Sequence, residues 1–364
     1  MIEGHGGNIY KLAEALGCNP FDICDMSANV NPLGPMPALV GYLQQELQAI
    51  AVLPEVNASQ IVRLFAQDQR LNPERVMAGN GTTELIYLIP RAVRPSKALI
   101  VGPTYADYED ACKMNRVRFH HWTCKEESHF VLDLQALQKA ASEVDLVFLC
   151  NPNNPTGTLV SRSDLAWFCR SLPNTLVVVD ESYLPFVPQS DEISLIGTTL
   201  SNVIVLNSMS KAFRIPGLRI GFAKADKTVL EKIRSYALPW SVNSLAQKAV
   251  SWLMNHPVAV SRFLEETRRL IGAQRSALIE FIESESQIRC FPSVTSFLLM
   301  RLPEGLSAPV VWRHMAKRHV LIRDCSNFEG LTEQFIRLSL KKEIENRKAA
   351  NLLIRLDRER SDGC

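Results

Sequence analysis

The sequence predicts an α/β protein in which a mostly parallel central sheet carries helices on both faces, with a smaller α+β domain attached. Three observations predict this. Short apolar runs rich in β-branched residues recur as ALIVG (98–102), DLVFLC (145–150), TLVVVDE (175–181), NVIVLNS (202–208) and LRIGFA (218–223), the pattern of strands buried on both faces. Amphipathic stretches such as DLQALQKAASE (133–143) and RSDLAWFCRSL (162–172) lie between several of them, and this alternation argues for parallel pairing under helical layers. After Pro239 the character changes. Helical periodicity covers roughly 243–285, strands follow near 288–301, a helix near 308–318, strands VLIRD (320–324) and FIRLSL (335–340), and a last helix from about 342.

The length, 364 residues, suits about two domains of ~150 residues or more. The expected division is a large domain over 36–240 and a small one formed by 1–35 together with 241–364. In parallel sheets the residues just past the strand C-termini line the ligand crevice, and Asn151–Gly157, Asp180–Tyr183 and Ser208–Lys211 occupy that position.

Composition narrows the partners. Forty Lys and Arg nearly cancel thirty-eight Asp and Glu, so no nucleic acid or other polyanion is expected, and an anionic ligand has to be held by a local site. Nine cysteines without a Cys-x-x-Cys pair read as reduced thiols, with no metal expected. The start, MIEGHGGNIY, lacks the charged and apolar regions of a signal peptide, and no apolar run reaches the ~20 residues of a membrane helix. The expectation is a soluble, cytoplasmic protein that does not engage a membrane.

Four stretches carry chemistry. AGNGTTELIYLI (78–89) sets Gly81, Thr82 and Thr83 at the start of an apolar helical run, where free backbone N–H groups can cup a phosphate; an ordinary capped helix start reads the same way. VVVDES ends a buried strand in Asp180, whose buried charge needs a partner, either a protonated ring nitrogen or an arginine. In NSMSKAFRIPGLRIGF (207–222), Lys211 sits between hydroxyl residues with Arg219 eight positions on. A nearby cation and desolvation both favour the neutral, nucleophilic amine, and Arg219, Ser208 and Ser210 can also grip a phosphate. NPNNPTG (151–157) holds an asparagine between prolines, suited to orienting a planar ligand, and PTYADY (103–108) offers Tyr105 as an aromatic stacking face.

In order and spacing, SMSK…GLRIGF, NPNNPTG and DESY resemble the fold-type I pyridoxal-phosphate enzymes of the aspartate aminotransferase superfamily, over essentially the whole chain. The resemblance implies pyridoxal 5'-phosphate as cofactor and Lys211 as its Schiff-base lysine. It implies Asp180 on the pyridine nitrogen, Asn154 and Tyr183 at the phenolic oxygen, and Tyr105 on the ring. Gly81, Thr82, Thr83, Ser208, Ser210 and Arg219 would hold the phosphate. HGGN (5–8), SANVNPLG (27–34), LPWSVNSLAQ (238–247) and LIRDCSNFEGL (321–331) are similar to the threonine-phosphate decarboxylases of cobalamin biosynthesis, a branch close to the histidinol-phosphate aminotransferases. That branch implies decarboxylation of L-threonine O-3-phosphate, with serine phosphate decarboxylation or a histidinol-phosphate-type transamination as alternatives. Arg337 matches the carboxylate-binding arginine, and His5, Asn8, Asn31 and Arg323 are candidates around the substrate phosphate, while the sequence leaves open which of the two arginines takes the carboxylate and which the phosphate. The family implies a homodimer with sites at the interface. Leu53, in AVLPEV (51–56), stands where the family carries a tyrosine that reaches across to the cofactor phosphate.

Overall fold

The computed structural model describes residues 6–362. At its centre is a seven-stranded sheet in the order Val76–Gly79, Gly221–Lys224, Val203–Ser208, Leu176–Asp180, Leu146–Cys150, Lys97–Gly102, Arg118–Thr123. Only Gly221–Lys224 runs against its neighbours in this sheet. Side chains alternate across each strand, and here both faces are buried. Ile100, Phe148, Val178 and Ile204 pack into one hydrophobic cluster, while Leu99, Val147, Val177 and Val205 pack into another on the opposite face. Each such side chain contributes about 1.5–3 kcal/mol by leaving water, which is why these runs carry no polar alternation.

The five expected strands are present, and two further ones complete the sheet. RFHHWT (118–123) forms an edge strand whose residues stay partly exposed, so it lacks the apolar signature of its neighbours. VMAG (76–79) is only four residues long and ends at the glycine that precedes the cup. The last of the expected strands begins later than its apolar pattern, at Gly221, because Pro216–Leu218 forms a 3-10 turn and Arg219 follows it with φ 55°.

The helices obey local chemistry. Asp133 accepts from the backbone of Gln135 and Ala136 and starts Leu134–Ala141, and Ser161 caps Arg162–Arg170 through Asp164 N–H. The helical pattern over 243–285 is two helices, Ser244–Asn255 and Pro257–Glu285, because the residue before a proline avoids helical geometry.

A second sheet is antiparallel, in the order Arg323–Asp324, Phe335–Ser339, Phe297–Arg301, Arg289–Cys290. The run VLIRD is divided: Val320–Leu321 pairs with Cys24–Asp25, and only Arg323–Asp324 joins the antiparallel sheet. Met26 N–H donates to Leu321 O and Ser339 N–H donates to Met26 O, each at 2.8 Å. These bonds stitch the N-terminal segment to the C-terminal strands and bring 27–31 against the ends of the central sheet.

Candidate active site

The parallel strands end on one side of the sheet at Gly102, Cys150, Asp180 and Ser208. The turns that follow meet in one cavity. It is lined by Gly81, Thr82, Thr83, Tyr105, Asn154, Asp180, Tyr183, Ser208, Ser210, Lys211 and Arg219, all named by the sequence, and also by Tyr108, Cys150 and Ser182.

At one end, the helix Gly81–Val93 begins against Arg219. Gly81 has φ +77°, and a Cβ there would lie 2.6 Å from Arg219 Nη2; a Cβ on Gly221 would lie 2.7 Å from Thr82 N. Both glycines are therefore required by close approach, and the result is a cradle of backbone N–H groups beside a guanidinium. Arg219 itself occupies the left-handed region, a strain of about 1–3 kcal/mol for a non-glycine residue. Ser210 Oγ donates to Ile220 O at 3.3 Å, a bond it must release before it can donate to a phosphate.

At the other end Asp180 is buried, with Ser182 N–H on Oδ1 at 3.0 Å and the Tyr108 hydroxyl on Oδ2 at 2.8 Å. The arginine considered from the sequence is not its hydrogen-bond partner; both donors are neutral. Burial pushes the Asp180 carboxyl above its usual range, and the hydrogen bonds from Ser182 and Tyr108 and the charge of Lys211 act the other way. Between the two ends, Lys211 projects from the short helix Met209–Ala212. Burial first, then Arg219 and Arg337, hold its amine below the ordinary lysine range, while Asp180 and Asp107 pull it back. This favours a neutral, nucleophilic amine.

Asn154 and Tyr183 lie side by side, joined by Asn29, whose Nδ2 is 3.5 Å from both Asn154 Oδ1 and Tyr183 Oη. Asn29 in turn accepts from Ser339 Oγ at 2.6 Å. Arg337 is buried over the Phe297 ring, donates to Asn154 Oδ1 and, at 2.6 Å, to Ser27 O. Its Nε is buried without a hydrogen-bond partner among the described residues. Arg323 faces Arg337 across the strand pair, stacks on Phe328 at 4.9 Å and donates to Asn327 at 2.6 Å. Burial lowers its guanidinium to about 10. Arg323 also lines a second cavity of about 250 Å³ with Asn8, Lys11 and Ser27.

One sequence candidate is corrected. Asn31 is fully buried, and its side chain donates to Ala212 O and Thr267 Oγ1, both at 2.7 Å, and accepts from Leu33 N–H at 2.9 Å. Its polar groups are spent on an Asx turn and on packing, so it lines neither cavity. Asn29 lies behind the cavity wall, against Asn154 and Tyr183. Asn8 caps the helix Ile9–Leu16 by accepting from Lys11 N–H and also lines the second cavity. His5 lies outside the described residues.

The chemistry of this donor set fits pyridoxal phosphate: an anion cradle that a Cβ would fill, a neutral-leaning lysine, and a buried carboxylate held only by neutral hydrogen-bond donors. Fold and site together define a pyridoxal-phosphate-dependent enzyme. The chain belongs to the aminotransferase class I and II family, whose profile matches residues 22–353. It is 29% identical over 351 residues to the threonine-phosphate decarboxylase of Salmonella typhimurium, covering 94% of each chain. It is 30% identical over 349 residues to the adenosylcobalamin biosynthesis bifunctional protein CobDQ of Leptospira interrogans, covering 94% of this chain and 40% of that longer protein. Among solved structures, the L-threonine-O-3-phosphate decarboxylase of Porphyromonas gingivalis superimposes with a TM-score of 0.82 at 29% identity, covering 91% of this chain and 98% of that one. The histidinol-phosphate aminotransferase of Clostridium acetobutylicum does so with a TM-score of 0.84 at 27% identity, covering 93% and 100%.

Proposed function

We propose that this enzyme decarboxylates L-threonine O-3-phosphate to (R)-1-amino-2-propanol O-2-phosphate and CO2, as a step of cobalamin biosynthesis. The observation that carries the reading is the pair Arg337 and Arg323. One reaches the cofactor cavity through Asn154 and the other opens on the second cavity with Lys11. A substrate with two separate anionic groups, a carboxylate and a phosphate, suits two cations placed this way. The likeness to named threonine-phosphate decarboxylases supports the same substrate class.

In this reading Gly81, Thr82, Thr83, Ser208, Ser210 and Arg219 hold the cofactor phosphate. Asp180 keeps a proton at the ring nitrogen, Tyr105 covers the ring, and Asn154 and Tyr183 flank its phenolic oxygen. When bound, the cofactor supplies an electron sink conjugated to the substrate Cα. Arg337 grips the carboxylate and so orients the Cα–carboxylate bond for cleavage, while Asn8, Lys11 and Arg323 hold the phosphate in the second cavity. As CO2 leaves, the electrons of the broken Cα–carboxylate bond stay on the Cα side, and Lys211, having taken a proton from the ammonium group of the entering substrate, would deliver it to Cα in place of the carboxylate. Which Cα bond is aligned decides between decarboxylation and transamination, so selectivity here is positional.

The reading includes a homodimer. Ile50, Val52, Leu53, Val56, Leu238 and Trp240 form an exposed apolar face, tied together by Trp240 N–H donating to Val56 O at 3.1 Å. Asn243, three residues past Trp240, donates to Leu218 O beside Arg219, so this face adjoins the phosphate end of the cavity. A second copy would cover it. A cytoplasmic location belongs to the same proposal, supported by eight free cysteines among the described residues. Among those residues no helix is long and apolar enough to cross a membrane.

The deciding experiment measures CO2 release from threonine phosphate by the purified holoenzyme, with serine phosphate and histidinol phosphate in parallel, each with and without 2-oxoglutarate. CO2 formed without an oxo acid supports the decarboxylase, and the faster phospho-amino acid names the substrate. Glutamate formed only with 2-oxoglutarate would make it an aminotransferase instead.

A further inference from the structure

We propose that Tyr108 is a positioning residue for the cofactor, its hydroxyl fixing the Asp180 carboxylate in the orientation and ionised form that the ring nitrogen requires. The inference rests on the reading of Asp180 as the ring-nitrogen partner.

Tyr108 is fully buried and its hydroxyl lies 2.8 Å from Asp180 Oδ2. A buried carboxylate leans toward its neutral form, and a neutral Asp180 could no longer keep a proton on a ring nitrogen. The groups around it offer little other help. Glu181 and Tyr183 belong to its own segment, and burial lifts both acids above their usual ranges. The Cys150 thiol, on the neighbouring strand, is also pushed up by burial, and it donates to Pro152 O at 3.2 Å. Lys211 is the nearby cation, and its own amine is held down. Stabilisation of the charged carboxylate therefore falls on Ser182, through its hydroxyl and through its N–H at Oδ1, and on the Tyr108 hydroxyl, the donor at Oδ2. Burial keeps the Tyr108 phenol protonated, so it donates throughout the pH range in which the enzyme would work.

The ring of Tyr108 is held as firmly as its oxygen. It stacks on Phe148 at 5.1 Å with 11° between planes and meets the edge of Tyr105 at 5.8 Å and 86°. Tyr105 is the candidate stacking face, so one side chain sets both the carboxylate at the ring nitrogen and the aromatic that covers the ring. Phenylalanine would keep the ring contacts and remove one oxygen, which isolates the hydrogen bond.

The test compares wild type, Y108F, D180N and the double variant, as purified protein titrated with pyridoxal phosphate. Y108F should weaken cofactor binding by about tenfold, the scale of a lost hydrogen bond to a charged group. It should also shift the pH titration of the bound cofactor's visible absorbance, lower kcat with KM little changed, and leave the melting temperature of the cofactor-free protein within a degree or so. In the D180N background, adding Y108F should change cofactor affinity by less than about twofold. F148L, which loosens the packing but keeps the hydroxyl, should lower the melting temperature and leave the absorbance titration where it was. Unchanged affinity and titration in Y108F would overturn the proposal, as would equal losses with and without Asp180. An absorbance indifferent to D180N would remove the reading of Asp180 itself, a separate failure.

Discussion

Gly81 and Arg219 approach so closely that a Cβ on the glycine would lie 2.6 Å from the guanidinium. The contact joins the start of one helix to a strained arginine that follows a 3-10 turn on another segment, and it shapes the end of the cavity proposed to hold the cofactor phosphate. Gly81→Ala adds a clash and places a side chain at φ +77°, a combined cost of about 1–3 kcal/mol. The guanidinium is the movable partner, so the loss should appear mainly as cofactor affinity. Fluorescence titration with pyridoxal phosphate should show roughly a 10–100-fold weaker complex, with a smaller change in melting temperature. A variant that binds cofactor normally would mean that the cradle does not hold the phosphate.

Asn29 and Asn31 are two residues apart and do different work. Asn31→Ala strands the Ala212 carbonyl, the Thr267 hydroxyl and the Leu33 N–H in the interior and should cost about 2–4 kcal/mol of stability. Cofactor binding, measured where the variant is still folded, should be nearly unaffected. Asn29→Ala should show the reverse, a modest stability loss with a displaced absorbance maximum, because Asn29 bridges Asn154 and Tyr183.

That pair also marks where the sequence was readable. The strand runs, the cup and Lys211, Asp180 and Arg219 were legible because each is a local pattern: an apolar run, a glycine before a helix, a polar residue at a strand end. Asn31 sits in N-P-x-G, a turn signature, and turns consume the asparagine side chain, whereas the motif around it suggests a ligand contact. Tyr108 stands three residues beyond Tyr105, in the helix Asp107–Met114 that follows it, but its partner Asp180 is 72 positions away and only the sheet brings them together. The edge strand at 118–123 carries no strand signature in the sequence because its side chains are half solvated and lack an apolar run.

Glu181 makes a stability prediction with a defined sign. It is buried, accepts from Leu195 N–H at 2.7 Å and from the Ser194 hydroxyl, and burial raises its carboxyl from 4.5 to about 7. The folded state binds this proton more tightly than the unfolded chain. The stability it lends is complete below about pH 4.5 and is lost as pH rises through about 7. Glu181→Gln keeps the shape and does not titrate. Its stability relative to wild type should climb by up to about 3 kcal/mol between those pH values and then level off. Urea denaturation at pH 5, 6, 7 and 8 measures this, and a difference that stays flat over the range would contradict it.

Leu53 is 75% exposed on the apolar face that adjoins Arg219. If a second copy covers this face, Leu53→Asp should shift the sedimentation of the protein toward the monomer and weaken cofactor binding together. Leu53→Tyr, which supplies a phenol on this face, should tighten cofactor binding by about tenfold if that phenol reaches the phosphate with one charge-assisted hydrogen bond. Leu53→Asp that sediments like wild type would place the subunit contact elsewhere, or remove it.

The two arginines can be separated by what each is asked to recognise. Arg337 is tied to Asn154 in the cofactor cavity, so it is assigned the carboxylate, which must sit next to the reacting Cα. Arg323 opens on the second cavity with Lys11, so it is assigned the phosphate, one carbon further out. Removing a charge-assisted contact costs about 1.5–3 kcal/mol, a 10–150-fold effect. Arg323→Gln should raise KM for threonine phosphate by that factor while leaving the weak binding of unphosphorylated threonine unchanged. Lys11→Gln should act in the same direction and less strongly, because Lys11 is exposed and well hydrated. Arg337→Gln should weaken both ligands alike and lower kcat as well, since orientation of the Cα–carboxylate bond is lost together with affinity. It should also raise the fraction of turnovers that end in transamination, read as loss of the cofactor's visible absorbance during reaction. If Arg323→Gln instead weakened threonine as much as threonine phosphate, the assignments would have to be exchanged, with the phosphate placed beside Asn154.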